Sequence, residues 1–168
     1  MKCVLRAWRM DDAQDLAIAL SNKKVLDNLR DGLPFPYTAD DAGEYISAMM
    51  NADNEKIYAF AITVNDKVIG SIGVFRQENI HARTAEMGYY IAAPYWGQGI
   101  GTSAVGQVCD RIFRTTDIIR IFAEPFSYNA ASCRILEKSG FVLEGILRKN
   151  AIKNGKVIDM KMYALTKA

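Results

Sequence analysis

AEMGYYIAAPYWGQGIGTSAV, residues 85–105, reads as a strand that runs into a glycine-rich turn, with the turn opening a helix. Gly97, Gly99 and Gly101 let the backbone turn sharply and press its N–H groups against a ligand. A helix that starts there adds unpaired N–H groups and the positive end of its dipole. The stretch is therefore a cradle for phosphate. Downstream, Ile100, Ala104, Val105, Val108, Ile112 and Phe113 recur at the three-to-four spacing of one buried helical face.

Several phosphate chemistries compete for such a turn. A nucleoside-triphosphate loop ends in Gly-Lys-Ser/Thr, and here Gly101 is followed by Thr102 and Ser103, so that chemistry is excluded. The relaxed dinucleotide fingerprint fits Gly99-x-Gly101-x-x-Ala104, with Glu124 placed roughly where a ribose-binding acid belongs. Against it, residues 92–96 separate the strand from the glycines, and too little chain remains for a doubly wound sheet. The glycines could also serve helix packing alone.

On the N-terminal side, residues 4–7 supply an opening strand, and Asp11 with Gln14 reads as a capping box for a helix carrying Ala13, Leu16, Ala17 and Leu20. Residues 21–30 form a second short helix, residues 32–37 an irregular loop with two prolines, and Thr38 with Asp41 starts a third helix. Residues 56–64 and 68–75 are β-rich runs around Asn65-Asp66-Lys67, an antiparallel hairpin. The strand at residues 84–91 follows. Beyond the glycine helix, residues 118–123 suit a buried strand, Asn129 caps a helix that Gly140 ends, and residues 141–152 and 157–165 flank the hairpin signal Asn154-Gly155. This order predicts one α+β (mixed α/β) domain over residues 1–168: a mainly antiparallel sheet with one parallel pair at the crossover.

Composition narrows the function classes. Half the 168 residues are hydrophobic and 24% are charged, a globular balance, and the net charge of +2 with no basic run argues against nucleic acid. Neither a secretory signal nor a long apolar span is present, so a cytoplasmic protein, monomer or homodimer, is expected. Cys3, Cys109 and Cys133 make no disulfide or zinc pattern, and His81 is the sole histidine, in a polar connector, so no metal site is expected.

Residues 85–105, followed by NAASCRILEKSGF at residues 129–141, resemble the acyl-CoA-binding core of the GNAT N-acetyltransferase superfamily, and more narrowly its RimJ/RimL-type branch. LRAWRMDDAQDL near the start, PFPYTADDAGEYI at residues 34–46 and LEGILRKNAIKNGKVIDMKMYAL near the end extend the likeness over nearly the whole chain. The resemblance implies a GNAT fold in which the two parallel strands splay apart and the pantetheine arm of acetyl-CoA pairs with the first, here residues 87–92. It implies direct acetyl transfer to a primary amine, a protein N-terminus or a small molecule, with the 32–37 region beside the acceptor. The alternative is a noncatalytic CoA- or dinucleotide-binding regulatory module.

The implied cosubstrate contacts are Tyr89, Tyr90, Ile91, Trp96, Gly97, Gln98, Gly99, Ile100, Gly101, Thr102, Asn129 and Ser132. Trp96 stands where the superfamily usually has glutamine or arginine, which leaves phosphate to backbone N–H groups and Gln98. Chemistry falls to two side chains. At pH 7 deprotonating an α-amine costs about 1 kcal/mol and a lysine about 4.6 kcal/mol, so a carboxylate acting through water suffices for the former. Glu86 matches the superfamily glutamate used as that base, with Glu124 and Asp159 next in line. Ser132 is the candidate acid, or the group that hydrogen-bonds the departing sulfur, because Leu136 occupies the position where other branches carry a tyrosine. Backbone N–H groups of residues 89–91 are the expected oxyanion donors; Tyr89, Tyr90 and Tyr95 read as pocket or core aromatics.

Overall fold

The computed structural model describes residues 2–168. Seven strands make one sheet: β1 (Val4–Arg6), β2 (Ile57–Val64), β3 (Lys67–Arg76), β4 (Thr84–Ile91), β5 (Arg120–Ala123), β6 (Val142–Lys153) and β7 (Lys156–Thr166). Their spatial order is β1-β2-β3-β4-β5-β7-β6. Only β4 and β5 run parallel, because α4 (Ile100–Thr115) carries the chain between them. The remaining helices are α1 (Ala13–Leu20), α2 (Lys23–Leu26), α3 (Ala39–Met50) and α5 (Ala130–Lys138).

Alternation along the strands builds a core on each face. Ile62, Ile72, Val74, Ala85, Met87 and Ile91 pack with Val105, Val108 and Ile112 of α4 and Leu136 of α5. On the other face, Ala61 and Val68 meet Leu16 and Leu20 of α1 and Ala42 and Ile46 of α3. In β4, residues 85, 87, 89 and 91 thus face α4 and α5, while 86, 88 and 90 face the opposite layer.

Both hairpins turn as their residues dictate. Asn65 and Asp66 take φ of 51° and 61°, and Asn154 and Gly155 take 51° and 79°, the two left-handed residues that a tight two-residue hairpin turn requires. The Thr38–Asp41 box forms: Thr38 Oγ1 accepts the Asp41 N–H while the Asp41 carboxylate accepts the Thr38 N–H.

The expected box at Asp11 and Gln14 does not form. The chain reaches α1 through a 3-10 turn, Met10–Asp12, and it is the Asp12 carboxylate that accepts the Arg9 N–H at 2.8 Å while holding both terminal nitrogens of Arg6 at 2.8 Å. The second helix is also shorter than residues 21–30. After Leu26 the N–H groups of Asn28 and Leu29 turn to carbonyls three residues back, and the chain leaves as an irregular strap that reaches Gly32 at φ +117°. β5 starts at Arg120 rather than residue 118, since Ile119 N–H is taken by Arg83 O.

Candidate functional site

The parallel pair opens. β4 and β5 are in register only from Thr84–Arg120 to Glu86–Phe122, yet β4 continues to Ile91. Ala92 N–H donates to Ile69 O, so by antiparallel alternation residues 86, 88 and 90 turn their backbone groups to β3. Tyr89 and Ile91 then present their N–H groups to the gap, whereas the Tyr90 N–H belongs to the ladder beside Ser71. Of the expected oxyanion donors, Tyr90 is therefore withdrawn. Trp96 also acts in the gap: its indole Nε1 donates to Ile91 O at 2.7 Å, capping a carbonyl that the missing neighbour strand would have covered.

At the mouth of the gap the glycines divide their work. Gly97 (φ +73°) and Gly99 (φ +78°) hold left-handed backbone, and Gly99 is the N-cap of α4. Gly101 instead allows close packing, because a Cβ there would lie 2.5 Å from Ile135 Cδ1. The N–H groups of residues 99–102 start the helix without intrahelical partners, the first bond running from Ser103 N to Gly99 O. A cavity of about 340 Å³ opens over them, lined also by Trp96, Ile135, Arg134 and Lys138. Gln98 folds back, its Nε2 donating to Pro94 O at 3.2 Å.

Arg134 and Lys138 escape a reading of the glycine motif alone. They stand one turn apart on α5, and the packing of α5 against α4 brings both residues into the lining of the cradle. Their i, i+4 spacing is the one signal present in the sequence.

A second cavity, about 580 Å³, lies under the strap and meets the first at Asn28, Leu29, Tyr89, Tyr90, Asn129 and Ser132. Glu86, Glu124, Tyr37, Tyr45, Phe75 and Phe126 are among its walls. Arg30, on the strap, places one nitrogen 3.0 Å from Glu86 Oε2 and 3.9 Å from Glu124 Oε2. Burial and the charge of Glu86 push the Glu124 carboxyl above the usual carboxylate range, and Arg30 pulls it back in part. The strap is pinned where Tyr128 Oη donates to Asp27 O at 2.7 Å and Lys153 Nζ meets Asp31 at 2.9 Å. Asp159 lines neither cavity; its carboxylate accepts the Lys149 N–H at 2.7 Å in the closing hairpin, so it is withdrawn as a base.

Across the gap from the carboxylates, Ser132 sits in the first turn of α5, whose cap is Asn129 Oδ1 accepting the Ser132 N–H at 3.1 Å. The Ser132 Oγ lies 2.8 Å from the Tyr89 hydroxyl. Burial raises the Tyr89 phenol to about 12. Leu136 is fully buried in the core and does not reach the gap. The three cysteines are free and buried, with Cys109 pushed to about 12 by burial, and His81 is exposed in a 3-10 turn. No group of three or more metal-ligating side chains occurs among the described residues. No helix among them is long and apolar enough to cross a membrane.

The splayed pair with a glycine cradle at its mouth invites comparison with known proteins, and the acetyltransferase (GNAT) domain matches residues 2–142. The chain belongs to the GNAT acetyltransferase family. It is 34% identical over 116 residues to the "Probable N-acetyltransferase YjcK" of Bacillus subtilis (strain 168), covering 69% of this chain and 64% of that one. The "Ribosomal-protein-serine acetyltransferase" of Escherichia coli (strain K12) is 30% identical over 105 residues, 62% of this chain and 58% of the other. The matched stretches thus span less than two thirds of these relatives. RimJ of Mycobacterium smegmatis, solved in complex with CoA-disulfide, superposes at a TM-score of 0.86 with 25% identity, over 96% of this chain and 80% of that chain. The GNAT sheet, including the splay expected from sequence, is the one observed.

Proposed function

We propose that this chain moves the acetyl group of acetyl-CoA directly onto a primary amine. One observation carries the reading: the stretch of β4 left unpaired by β5 runs from the glycine-rich start of α4 at one end to a carboxylate-lined cavity at the other. The four free N–H groups at residues 99–102, with Arg134 and Lys138 beside them, match the charge of a pyrophosphate and its neighbouring phosphate. A pantetheine arm lying along β4 has the backbone of residues 89 and 91 to bond to. Family membership and the CoA-bound RimJ relative support the same cosubstrate.

The amine enters through the larger cavity, where Glu86 receives its proton, directly or through water, as the nitrogen attacks the thioester carbon. Tyr89 and Ile91 N–H groups are aimed into the gap at the developing oxyanion. When the carbon–sulfur bond breaks, its electron pair stays on sulfur and the Ser132 hydroxyl donates a hydrogen bond to it. Outright proton transfer from serine is uphill, because an aliphatic hydroxyl is a far weaker acid than a thiol of pKa near 8.5. Glu86 and Ser132 thus hold different ends of one bond exchange. The acceptor is a primary amine, of a protein N-terminus or a small molecule, and the cytoplasm, which supplies acetyl-CoA, is the proposed compartment.

Thiol release from acetyl-CoA with an amine panel tests the reading. Release that depends on amine, and that falls roughly 10²-fold to 10⁴-fold in Glu86→Gln while recovering in part as pH rises, is expected. Tight CoA binding with no amine-dependent release would establish the regulatory module instead. Cys133→Ala should leave the rate within a few fold, since transfer passes through no acyl-cysteine.

A further inference from the structure

The first-turn hydroxyl of α5 behaves unlike others in the molecule. Thr115, Thr116 and Ser139 each donate back to the carbonyl four residues earlier, at 2.7 to 2.8 Å, as helical hydroxyls commonly do. Ser132 does not: the Tyr128 carbonyl four residues before it is taken by the Ala130 N–H, and the Ser132 hydroxyl pairs with Tyr89 instead. Ser132 O, 3.4 Å from the Tyr89 oxygen, is a longer and weaker alternative acceptor for the single phenol hydrogen than Ser132 Oγ at 2.8 Å. Both residues line both cavities.

A pair of hydroxyls shares one hydrogen bond and keeps one hydrogen over. The phenol is the stronger acid and the better donor, so Tyr89 gives its hydrogen to Ser132 Oγ at 2.8 Å. The serine hydrogen is then released from the helix and from the tyrosine and points into the gap. We propose that Tyr89 is a positioning residue that aims the Ser132 hydroxyl at the sulfur of the leaving CoA. Burial keeps the phenol protonated to about 12, so this donor is in place throughout any ordinary assay range. Tyr89 itself exchanges no proton: the carbon–sulfur bond breaks, sulfur keeps the pair as thiolate under the serine hydrogen bond, and solvent protonates it later. The inference rests on the acetyl-transfer reading for its chemistry, and on the Tyr89–Ser132 contact together with the greater acidity of the phenol for the orientation.

Two measurements on wild type, Tyr89→Phe, Ser132→Ala and the double variant test it, each protein first shown to melt as a folded domain. In turnover, Tyr89→Phe is expected to lower kcat about tenfold, the size of one lost hydrogen bond, with KM for acetyl-CoA unchanged. The deficit should shrink with the acetyl selenoester of CoA, whose selenol leaves unaided, and the double variant should be no slower than Ser132→Ala. In binding, the thiol of CoA itself, titrated by thiolate absorbance on the enzyme, should ionise at higher pH in Tyr89→Phe and in Ser132→Ala by the same amount, and no further in the double variant. Additive losses, a Tyr89→Phe effect confined to KM, or a bound thiol that titrates alike in wild type and Tyr89→Phe would each overturn the proposal. Because the titration needs no acceptor, an enzyme that binds CoA without transferring acetyl sinks the functional reading while still deciding the role of Tyr89. Failure to bind CoA sinks both.

Discussion

Arg30 shows how one exposed side chain can bridge two partly buried carboxylates. Its guanidinium touches Glu86 at 3.0 Å and reaches Glu124 at 3.9 Å, from a strap that Tyr128, Lys153 and Asn154 hold in place. The charge offsets part of the rise that burial and Glu86 impose on Glu124. Arg30→Gln should therefore move the Glu124 titration further upward, because the Arg30 charge that favours its ionised form is gone. Carboxyl NMR of Glu124 in the two proteins reads this directly, and an unmoved midpoint would mean that solvent already screens Arg30. None of this contact is visible along the chain. Arg30 and Glu86 are 56 residues apart, and nothing in the local pattern of either points to the other.

At the scale of the element, the start of α4 separates binding from folding more cleanly than the glycines suggest. Gly101 looks like the natural place to block a phosphate, but a side chain there meets Ile135, which packs against the core and also lines the cradle, so any loss of binding would mix displaced packing with the added group. Thr102 offers a better probe. It lies in the first turn of α4 and lines the cradle, where a carboxylate favours the helix dipole yet repels a phosphate. Thr102→Glu is expected to hold or slightly raise the melting temperature while weakening CoA affinity at least tenfold by calorimetry. Equal loss of CoA and of 3′-dephospho-CoA affinity would place the pyrophosphate at this helix start; unchanged affinity would move it elsewhere. The turn, its left-handed glycines and the helix after it are legible from residues 97–113 because local backbone requirements decide them. The division of labour among the three glycines is not, since Ile135 comes from another helix.

At the scale of the molecule, the sheet is shared by two cores, one on each face. Leu16 on α1 and Leu136 on α5 are both fully buried, on opposite faces. Leu16→Ala and Leu136→Ala should each cost about 2 to 5 kcal/mol, and unfolding should remain one transition in calorimetry, because the strands between them cannot keep one face without the other. Two resolved transitions would show the faces to be independent.

Periodicity and turn residues along this chain were enough to determine most of the strands, the glycine turn with the helix it opens, and the two hairpins, because those depend on neighbours within a few residues. The length of the strap after Leu26, the withdrawal of Tyr90 into the ladder, the capping of Ile91 O by Trp96 and the meeting of Tyr89 with Ser132 were decided by tertiary structure alone. The reason is geometric. A splayed strand pair leaves backbone groups and side chains facing a gap, and which of them meet across it depends on strand parity and on how α5 packs, quantities that no short stretch of sequence carries.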